Sequence, residues 1–403
     1  MNFDVFDHAF PENSLILKQC KDAEKLTLTD PHDAIFNARA ALERLCKDAL
    51  KRINVPIPGT LSDMVKVCVE KSVFNNGTNA YVVRKRGNDI AHANPTKDFH
   101  TVKEENIRVS LKVMESLFCI LSEISGVKNV QFDRHKIPFG IYDVVRKVAK
   151  APSEEIVGDW HYFVKDASDD YFLLQVLPKK GADLGARNEA ARKILKDQYK
   201  SQLLHTHNLT ISPEADRQYV LYSVNRESFL LSERCSHMTP RQAVQVGMDL
   251  VKDLQELREN GIHHRNIQPG CVVLTPARGM FRADLVNMET AKIEESLGTV
   301  LPSIVKNFLD NPYMPKELRG GAAEVFTEWE KADVYAVAMV MIYCLDSELV
   351  SAGLAPDDLY DRFSDEMVDE VFRPIFESNV GAIFTLDEFG SMLEARIDGE
   401  ENC

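Results

Sequence analysis

The stretch that most constrains this chain of 403 residues is the loop at residues 261–275, which reads Gly-Ile-His-His-Arg-Asn-Ile-Gln-Pro-Gly-Cys-Val-Val-Leu-Thr. A helix is predicted before it, because Thr239 and Pro240 form a typical helix start and apolar residues then recur at three- and four-residue steps as far as Gly261. An apolar strand is predicted after it. The chain must therefore hold a polar loop between a helix and a strand.

This loop resembles the catalytic loop of protein kinases, in which His-Arg-Asp is followed after a five-residue step by Asn and then by an apolar strand. His264 and Arg265 match that frame. Asn266 takes the place of the catalytic Asp, Gln268 that of a Lys, and Cys271 that of the magnesium-binding Asn. An amide cannot accept the substrate hydroxyl proton as a carboxylate does, and a thiol is a poor ligand for a hard cation. The resemblance therefore implies a kinase-like fold without phosphotransfer.

The resemblance to kinases extends over about residues 137–398, because further landmarks follow in order. Gln175 stands where the strand that carries the nucleotide-binding Lys is expected. Glu317 stands in the segment that closes the activation loop. Asp333 stands where the family braces the backbone of the catalytic loop. The resemblance implies structural roles for Glu317 and Asp333.

Two residues compete for the position of the metal-binding Asp of the kinase frame. Asp284 lies at the usual distance from the catalytic loop, whereas Asn287 gives the better match on its far side. A glycine-rich phosphate loop is also missing before Gln175, because Gly158 stands alone. We therefore expect no cofactor and no metal site, and residual nucleotide binding is not favoured.

The first 126 residues show helical patterns and no strand pattern. Helices are predicted over residues 13–26 and 31–53, after the N-cap residue Thr60, and over residues 104–124. An antiparallel all-α helical bundle is the fold that this pattern indicates.

A second motif lies in this helical part. Arg86 is followed after five intervening residues by His92, the Arg-to-His spacing of the HEPN helical nucleases, and Asn88 lies between them. An Arg39-x-x-x-Glu43 motif on the second predicted helix accompanies it. The resemblance covers residues 1–126 and implies metal-independent RNA cleavage.

RNA cleavage without metal needs a proton acceptor for the 2′-hydroxyl and a cation for the charge that develops on the phosphate. Histidine can exchange a proton near neutral pH, and arginine supplies a fixed, forked donor. Asn88 and His92 are four residues apart and share a helix face, and Arg84 extends that face by another turn. Arg84 is therefore an alternative to Arg86 as the working cation.

Simpler interpretations stay open for these residues. Arg39 and Glu43 at i, i+4 spacing are typical of a plain ion pair. His92 could pack at a helix end in a bundle that serves only for oligomerisation. Cys271 could be a small core residue.

The charge of the chain is unevenly distributed. Residues 1–126 hold 17 basic and 17 acidic residues, so the net charge of −14 belongs to the remainder, and any contact with nucleic acid is expected in the first part. The eight cysteines include no Cys-x-x-Cys pair. The longest apolar run, at residues 334–345, is too short to span a bilayer. The first residues do not resemble a signal peptide. These features predict a cytoplasmic protein without membrane contact.

Together these patterns predict a multidomain chain: a HEPN-like bundle over 1–126, a linker over 127–136 and an α+β bilobal kinase-like domain over 137–403, with lobes at about 137–224 and 225–398. The first hypothesis for function is an effector ribonuclease controlled by a pseudokinase, as in bacterial defence or toxin systems. RNA, a second copy bound through the bundle and a protein bound to the pseudokinase are its expected partners. The alternative is a non-catalytic dimeric scaffold in which the bundle oligomerises and the pseudokinase recruits a protein.

Overall fold

The structure is a computed structural model of the chain. It describes residues 1–10, 14–75, 77–91, 104–148, 160–178, 190–191, 194–195, 206–208, 217–233, 238–293, 311–319, 327–352 and 356–400. Two compact units are present: the first comprises Met1–Lys147, Ala151–Val176 and Asn208–Tyr219, and the second comprises Val148–Lys150, Leu177–His207 and Val220–Cys403.

Helices build most of the first unit. They are α1 (Leu15–Leu26), α2 (Pro31–Arg52), α3 (Leu61–Glu70), α4 (Thr78–Ala91) and α5 (Glu104–Ser125). The side chain of Thr60 accepts a hydrogen bond from the backbone N–H of Asp63, so the predicted N-cap of α3 is confirmed. Where the sequence predicted helices in this part, the structure has them.

The core of the helical part lies between α1, α2, α4 and α5. Phe3, Phe6 and Phe118 form a cluster of rings with centroids 5.0 to 6.3 Å apart. The backbone N–H of Asn75, just before α4, donates to the carboxylate of Glu123, so the start of α4 lies beside the end of α5. Among the described residues of 1–126, the predicted helical character is confirmed.

Strands follow the helices along the chain. Strands β1 (Asp143–Lys147), β2 (Trp160–Lys165) and β3 (Tyr171–Pro178) pair antiparallel, and with β4 (Thr206–Asn208) and β5 (Arg217–Val224) they belong to a five-stranded sheet of order β1-β2-β3-β5-β4. Tyr219 donates a hydrogen bond from its hydroxyl to the backbone oxygen of Leu28. The first unit thus groups early strands with the helices, and the domain boundary expected at 127–136 stays a prediction.

The second unit mixes helices with short antiparallel sheets. Its strands are β6 (Phe229–Leu230), β7 (Ile262–His263), β8 (Val272–Ala277), β9 (Met280–Leu285) and β10 (Lys292–Ile293), ordered β6-β8-β9 in one sheet and β10-β7 in another. Its helices are α6 (Pro240–Glu259), α7 (Lys316–Arg319), α8 (Trp329–Leu345), α9 (Ser347–Ala352), α10 (Asp365–Met367), α11 (Arg373–Glu377) and α12 (Leu386–Glu400). The stretch 261–275 follows α6 and continues into β8, as predicted.

Helix α8 is the centre of the second unit, since its residues from Ala332 to Leu345 are all buried. It packs against α6, where Gly247 lets the side chain of Met341 approach: a Cβ added to this glycine would lie 2.5 Å from the sulfur. Within the described ranges, no helix is long and apolar enough to cross a membrane. The fold is therefore a helical part followed by a mixed helix and sheet region.

Candidate functional site

One face of α4 carries Arg84 and Asn88, which are four residues apart. Arg84 is half-buried, and its guanidinium carbon lies 5.7 Å from the centroid of the Tyr81 ring. Its Nε is buried and has no hydrogen-bond partner among the described residues. A buried donor without a partner costs free energy, so Arg84 is held in this position at a cost.

Asn88 is joined to α2 through Arg39. The Nε of Arg39 donates to the Oδ1 of Asn88 at 3.1 Å, a contact between residues 49 positions apart. Arginine offers only donors, so the amide oxygen must face it and the amide NH2 must point away. The contact therefore turns Asn88 into an oriented donor.

Gly87 makes room for this contact. A Cβ added at Gly87 would lie 2.5 to 2.8 Å from Cδ, Cβ and Cγ of Arg39. Any larger residue would push the two helices apart at this point. Glycine destabilises a helix interior relative to alanine, so the close approach of Arg39 is obtained with a lower intrinsic stability of α4.

The expected ion pair between Arg39 and Glu43 is loose. Their closest atoms, Nη1 and Oε2, are 4.0 Å apart, whereas Lys47 reaches the same carboxylate at 2.6 Å. Glu43 is thus neutralised mainly by Lys47, and Arg39 is directed to Asn88.

The two candidate cations, Arg84 and Arg86, have different surroundings. The side chain of Arg86 is 51% exposed and lies 3.5 Å from the carboxylate of Asp89, while Arg84 shares the face of Asn88. His92, the expected base, lies outside the described residues. The structure thus brings Arg84, Asn88 and Arg39 together and leaves Arg86 to the solvent.

A second cluster is built on the loop after α6, in the second unit. The carboxylate of Asp333 accepts backbone hydrogen bonds from His264 at 3.1 Å and from Arg265 at 3.0 Å. Arg265 has φ +65°, a left-handed conformation that costs a non-glycine residue about 1 kcal/mol. The two hydrogen bonds offset that cost. Burial raises the pKa of Asp333 to about 7, and the same two N–H groups oppose the rise.

Arg265 points into the interior. Its side chain is buried, its Nε donates to the backbone oxygen of Thr290 at 2.8 Å, and its guanidinium carbon lies 5.0 Å from the centroid of the Trp329 ring. Thr290 in turn donates from its hydroxyl to the backbone oxygen of His264. Arg265 is therefore a structural cation that ties the loop to the segment after β9.

His264 is fully buried, with its Nε2 2.9 Å from the backbone oxygen of Val286. A carbonyl only accepts, so Nε2 carries the proton, and Nδ1 accepts from the backbone N–H of Asn266 at 3.4 Å. Burial lowers the pKa of His264 to about 4, and the bond to Val286 opposes that shift. The imidazole is neutral near pH 7 and holds the loop in place.

Asn266 stands at the position where the kinase frame has its base. Its Oδ1 accepts a hydrogen bond from the Nε2 of Gln268 at 3.3 Å. An amide has no basic oxygen at neutral pH, so this group cannot take a proton from a hydroxyl nucleophile.

Asn287 and Cys271 contact each other. The Nδ2 of Asn287 donates to the backbone oxygen of Gly270 at 3.1 Å and lies 3.7 Å from the Sγ of Cys271. The backbone N–H of Asn287, at φ +68°, donates to the hydroxyl of Tyr222. Asparagine tolerates this left-handed conformation well. The role of Tyr222 could not be anticipated, because only the folded sheet brings its hydroxyl to this turn.

Asp284 takes a different position. It lies on β9 opposite Val273 of β8, and its carboxylate is 2.6 Å from the Nη2 of Arg282. Burial raises the pKa of Asp284, and Arg282 opposes the shift. Of the two candidates for the metal-ligand position, Asn287 is the one whose side chain contacts Cys271.

Gln175 and Glu317 are the other two residues to which the resemblance to kinases points. Gln175 is buried in β3 of the first unit, opposite His161 of β2. Glu317 lies in α7 of the second unit, and its Oε1 accepts from the backbone N–H of Val380 at 3.0 Å. Gln175 supplies no charge, and Glu317 acts as an anchor for a later turn.

The described residues hold one group of side chains with the spacing of a metal site, formed by Asp30, His32 and Asp33. Asp30 is the N-cap of α2 and accepts from the backbone N–H of Asp33. This capping role explains the cluster without an ion.

No protein-family model matches the chain, and no curated protein matches it. Function is therefore inferred from the two side-chain clusters alone.

Proposed function

We propose that the helical part of this protein cleaves RNA without a metal ion and that its kinase-like part binds a partner without transferring phosphate. The observation that carries the first half is the placement of Arg84 and Asn88 on one face of α4, with the unpartnered Nε of Arg84 buried there. A fixed cation beside an oriented amide donor suits a phosphodiester.

In the proposed reaction, His92 accepts the proton of the 2′-hydroxyl as that oxygen attacks the adjacent phosphorus. The bond from phosphorus to the 2′-oxygen forms, and the bond from phosphorus to the 5′-oxygen breaks. The departing 5′-oxygen takes up a proton from water, and His92 returns its proton to the solvent afterwards. Arg84 stabilises the charge that builds on the phosphate oxygens, and Asn88 donates to one of them. The 5′ fragment ends in a cyclic phosphate.

The kinase-like part is proposed as a binding module. Contact between Asn287 and Cys271 supports this role, because the kinase resemblance puts metal ligands at these two positions and here they contact each other. Asn266 lacks the basicity of a carboxylate. The acidic charge of the chain outside residues 1–126 suits a basic protein surface as the partner.

Incubating the full chain with labelled single-stranded RNA in EDTA tests the nuclease. Cleavage should persist in EDTA, leave a cyclic phosphate and fail on DNA, which lacks the 2′-hydroxyl. His92→Ala should lower the rate by about two orders of magnitude or more, the usual size for loss of a general acid or base. Intact RNA with the wild-type protein would contradict the proposal.

A second candidate function is the non-catalytic scaffold. It is favoured by apolar side chains that the helical part exposes: Leu15 is 59% exposed and Phe36 is 50% exposed. A second copy could cover such residues. Sedimentation of the full chain with and without Leu15→Glu would test it, and a monomer at all concentrations would exclude it.

A further inference from the structure

We infer that Arg39 is a positioning residue of the α4 site: it holds Asn88 as a donor to a phosphate of single-stranded RNA and supplies a second cation there. This inference rests on the proposed ribonuclease function and names a residue of α2 that the motif on α4 does not contain. Its basis is the contact between the Nε of Arg39 and the Oδ1 of Asn88 at 3.1 Å.

The chemistry of the two groups fixes the direction of the amide. An asparagine left alone can present either its oxygen or its NH2 to a ligand. With Arg39 donating to its oxygen, Asn88 presents its NH2 on the opposite side. An NH2 group donates to phosphate oxygens, whereas an exposed amide oxygen would repel them. Arg39 therefore makes the site favour ligands with negatively charged oxygens.

Arg39 also retains charge for a ligand. Its nearest carboxylate oxygen, in Glu43, is 4.0 Å away, and that carboxylate is held by Lys47 at 2.6 Å. The side chain of Arg39 is 26% exposed, so part of it is open to solvent. A guanidinium that fixes Asn88 through Nε can contact a second oxygen through Nη.

Gly87 shows that this arrangement is built into the helix pair. The added Cβ at Gly87 would lie within 2.5 to 2.8 Å of three carbons of Arg39, including its Cβ, so the side chain crosses α4 at the one residue without a side chain. An arginine that served only in a surface ion pair with Glu43 would need no such gap.

Aromatic side chains nearby point to an unpaired strand as the ligand. Phe36 lies three residues before Arg39 on α2 and is 50% exposed, and Tyr81, below Arg84 on α4, is 38% exposed. Unpaired bases stack on such rings, whereas bases in a duplex are already stacked. Single-stranded RNA therefore fits the site better than duplex RNA.

The test uses the full chain with three variants. Asn88→Asp keeps an acceptor for Arg39, and strengthens that contact by adding charge, but replaces the NH2 by a negative oxygen. Arg39→Gln removes the cation. Arg52→Gln is the matched control, since Arg52 is also on α2 and paired at i, i+4 with Asp48, but is 61% exposed at the far end of the helix.

Binding is measured by fluorescence polarisation with a labelled single-stranded 2′-O-methyl RNA, which cannot be cleaved because its 2′-oxygen is blocked. Asn88→Asp and Arg39→Gln should each weaken binding about tenfold, the size expected for losing a charge-assisted hydrogen bond, and Arg39→Gln should lower the salt slope by about one. Single-stranded DNA of the same sequence should show the same losses, because the contacts are to phosphate. Thermal midpoints should stay unchanged or rise for Asn88→Asp.

Binding of both variants at the wild-type affinity would overturn the inference, even if their thermal midpoints fell, because the contact would then be structural only. The wild-type protein could bind the blocked RNA, with weaker binding in both variants, and still leave unmodified RNA intact. That result would overturn the proposed nuclease activity and support this binding site. In cleavage assays Arg39→Gln should raise KM more than it lowers kcat. A larger effect on kcat than on KM would count against the inference.

Discussion

The side-chain nitrogen of Asn287 lies 3.7 Å from the sulfur of Cys271, and the same NH2 group donates to the backbone oxygen of Gly270. Both residues are buried. The positions at which the kinase resemblance implies two metal ligands are thus occupied by a donor and a soft sulfur that contact each other.

Asn287→Asp should destabilise the protein and create no magnesium site. The introduced carboxylate would face the Gly270 oxygen, to which Asn287 now donates at 3.1 Å. Losing a buried hydrogen bond and leaving its partner unsatisfied costs about 1–3 kcal/mol of unfolding free energy, measured in urea. Asn287→Gly, which keeps the left-handed backbone and adds no repulsion, should cost less. Equal stability together with magnesium binding would contradict this explanation.

Phosphate transfer should be absent. Asn266, with its Oδ1 held by Gln268 at 3.3 Å, cannot act as a base, and Cys271 is a poor magnesium ligand. Labelled ATP incubated with the protein, alone or with generic substrates, should give no transfer above a heat-killed sample. Transfer that disappears in Asn266→Ala would prove this prediction wrong.

Stability should fall in acid because of His264. Its folded pKa of about 4 lies below its ordinary value of 6.5, so the unfolded chain takes the proton first as pH falls. The contribution is complete above pH 6.5 and is lost as pH drops through 4, amounting to about 3 kcal/mol. A glutamine introduced by His264→Gln can still donate to the Val286 oxygen. The variant should lack the pH-dependent contribution of His264 to the unfolding free energy. Urea unfolding of both proteins between pH 7 and 4 measures the difference, since the neighbouring Asp333 titrates in both. Parallel pH curves would refute the assignment.

Glu24→Gln should destabilise the first unit. The carboxylate of Glu24 is buried and accepts from the backbone N–H and the side chain of Asn2, and from the backbone N–H of Phe3. Glutamine has one acceptor oxygen, so its NH2 would face a donor, at a cost of about 1–3 kcal/mol. Asp7→Asn, which removes an exposed pairing with Lys21, should change the unfolding free energy by at most about 1 kcal/mol. Equal effects of the two substitutions would contradict the role of Glu24.

Arg84 and Arg86 should differ in the RNA cleavage assay. Arg84 shares a helix face with Asn88, whereas Arg86 is 51% exposed and lies beside Asp89. Arg84→Gln should reduce cleavage by about two orders of magnitude, as expected for losing a group that stabilises the developing charge, and Arg86→Gln should reduce it far less. The reverse order would make Arg86 the working cation.

Much of the local structure was predictable from the sequence. Thr60 and Thr239 mark helix starts through short-range hydrogen bonds, and the segments Trp160–Lys165 and Tyr171–Pro178, rich in aromatic and aliphatic residues, form a strand pair joined by a turn. Helix faces follow from the 3.6-residue repeat, so the sequence alone placed Arg84 and Asn88 together. These features depend on residues a few positions apart.

The contacts that define the two clusters were decided only by the tertiary structure. Helical periodicity specifies which residues share a face of α4 but not which residue of α2 contacts that face. The sequence therefore could not decide whether Arg39 pairs with Glu43 on its own helix or donates a hydrogen bond to Asn88, 49 residues away. Likewise, spacing along the chain left both Asp284 and Asn287 as candidates, with the better match at Asn287. The turn after β9, held by the Tyr222 hydroxyl, carries Asn287 to Cys271 and leaves Asp284 on the strand with Arg282. Local sequence determines secondary structure through neighbouring atoms, whereas pairings between distant residues depend on how whole elements pack.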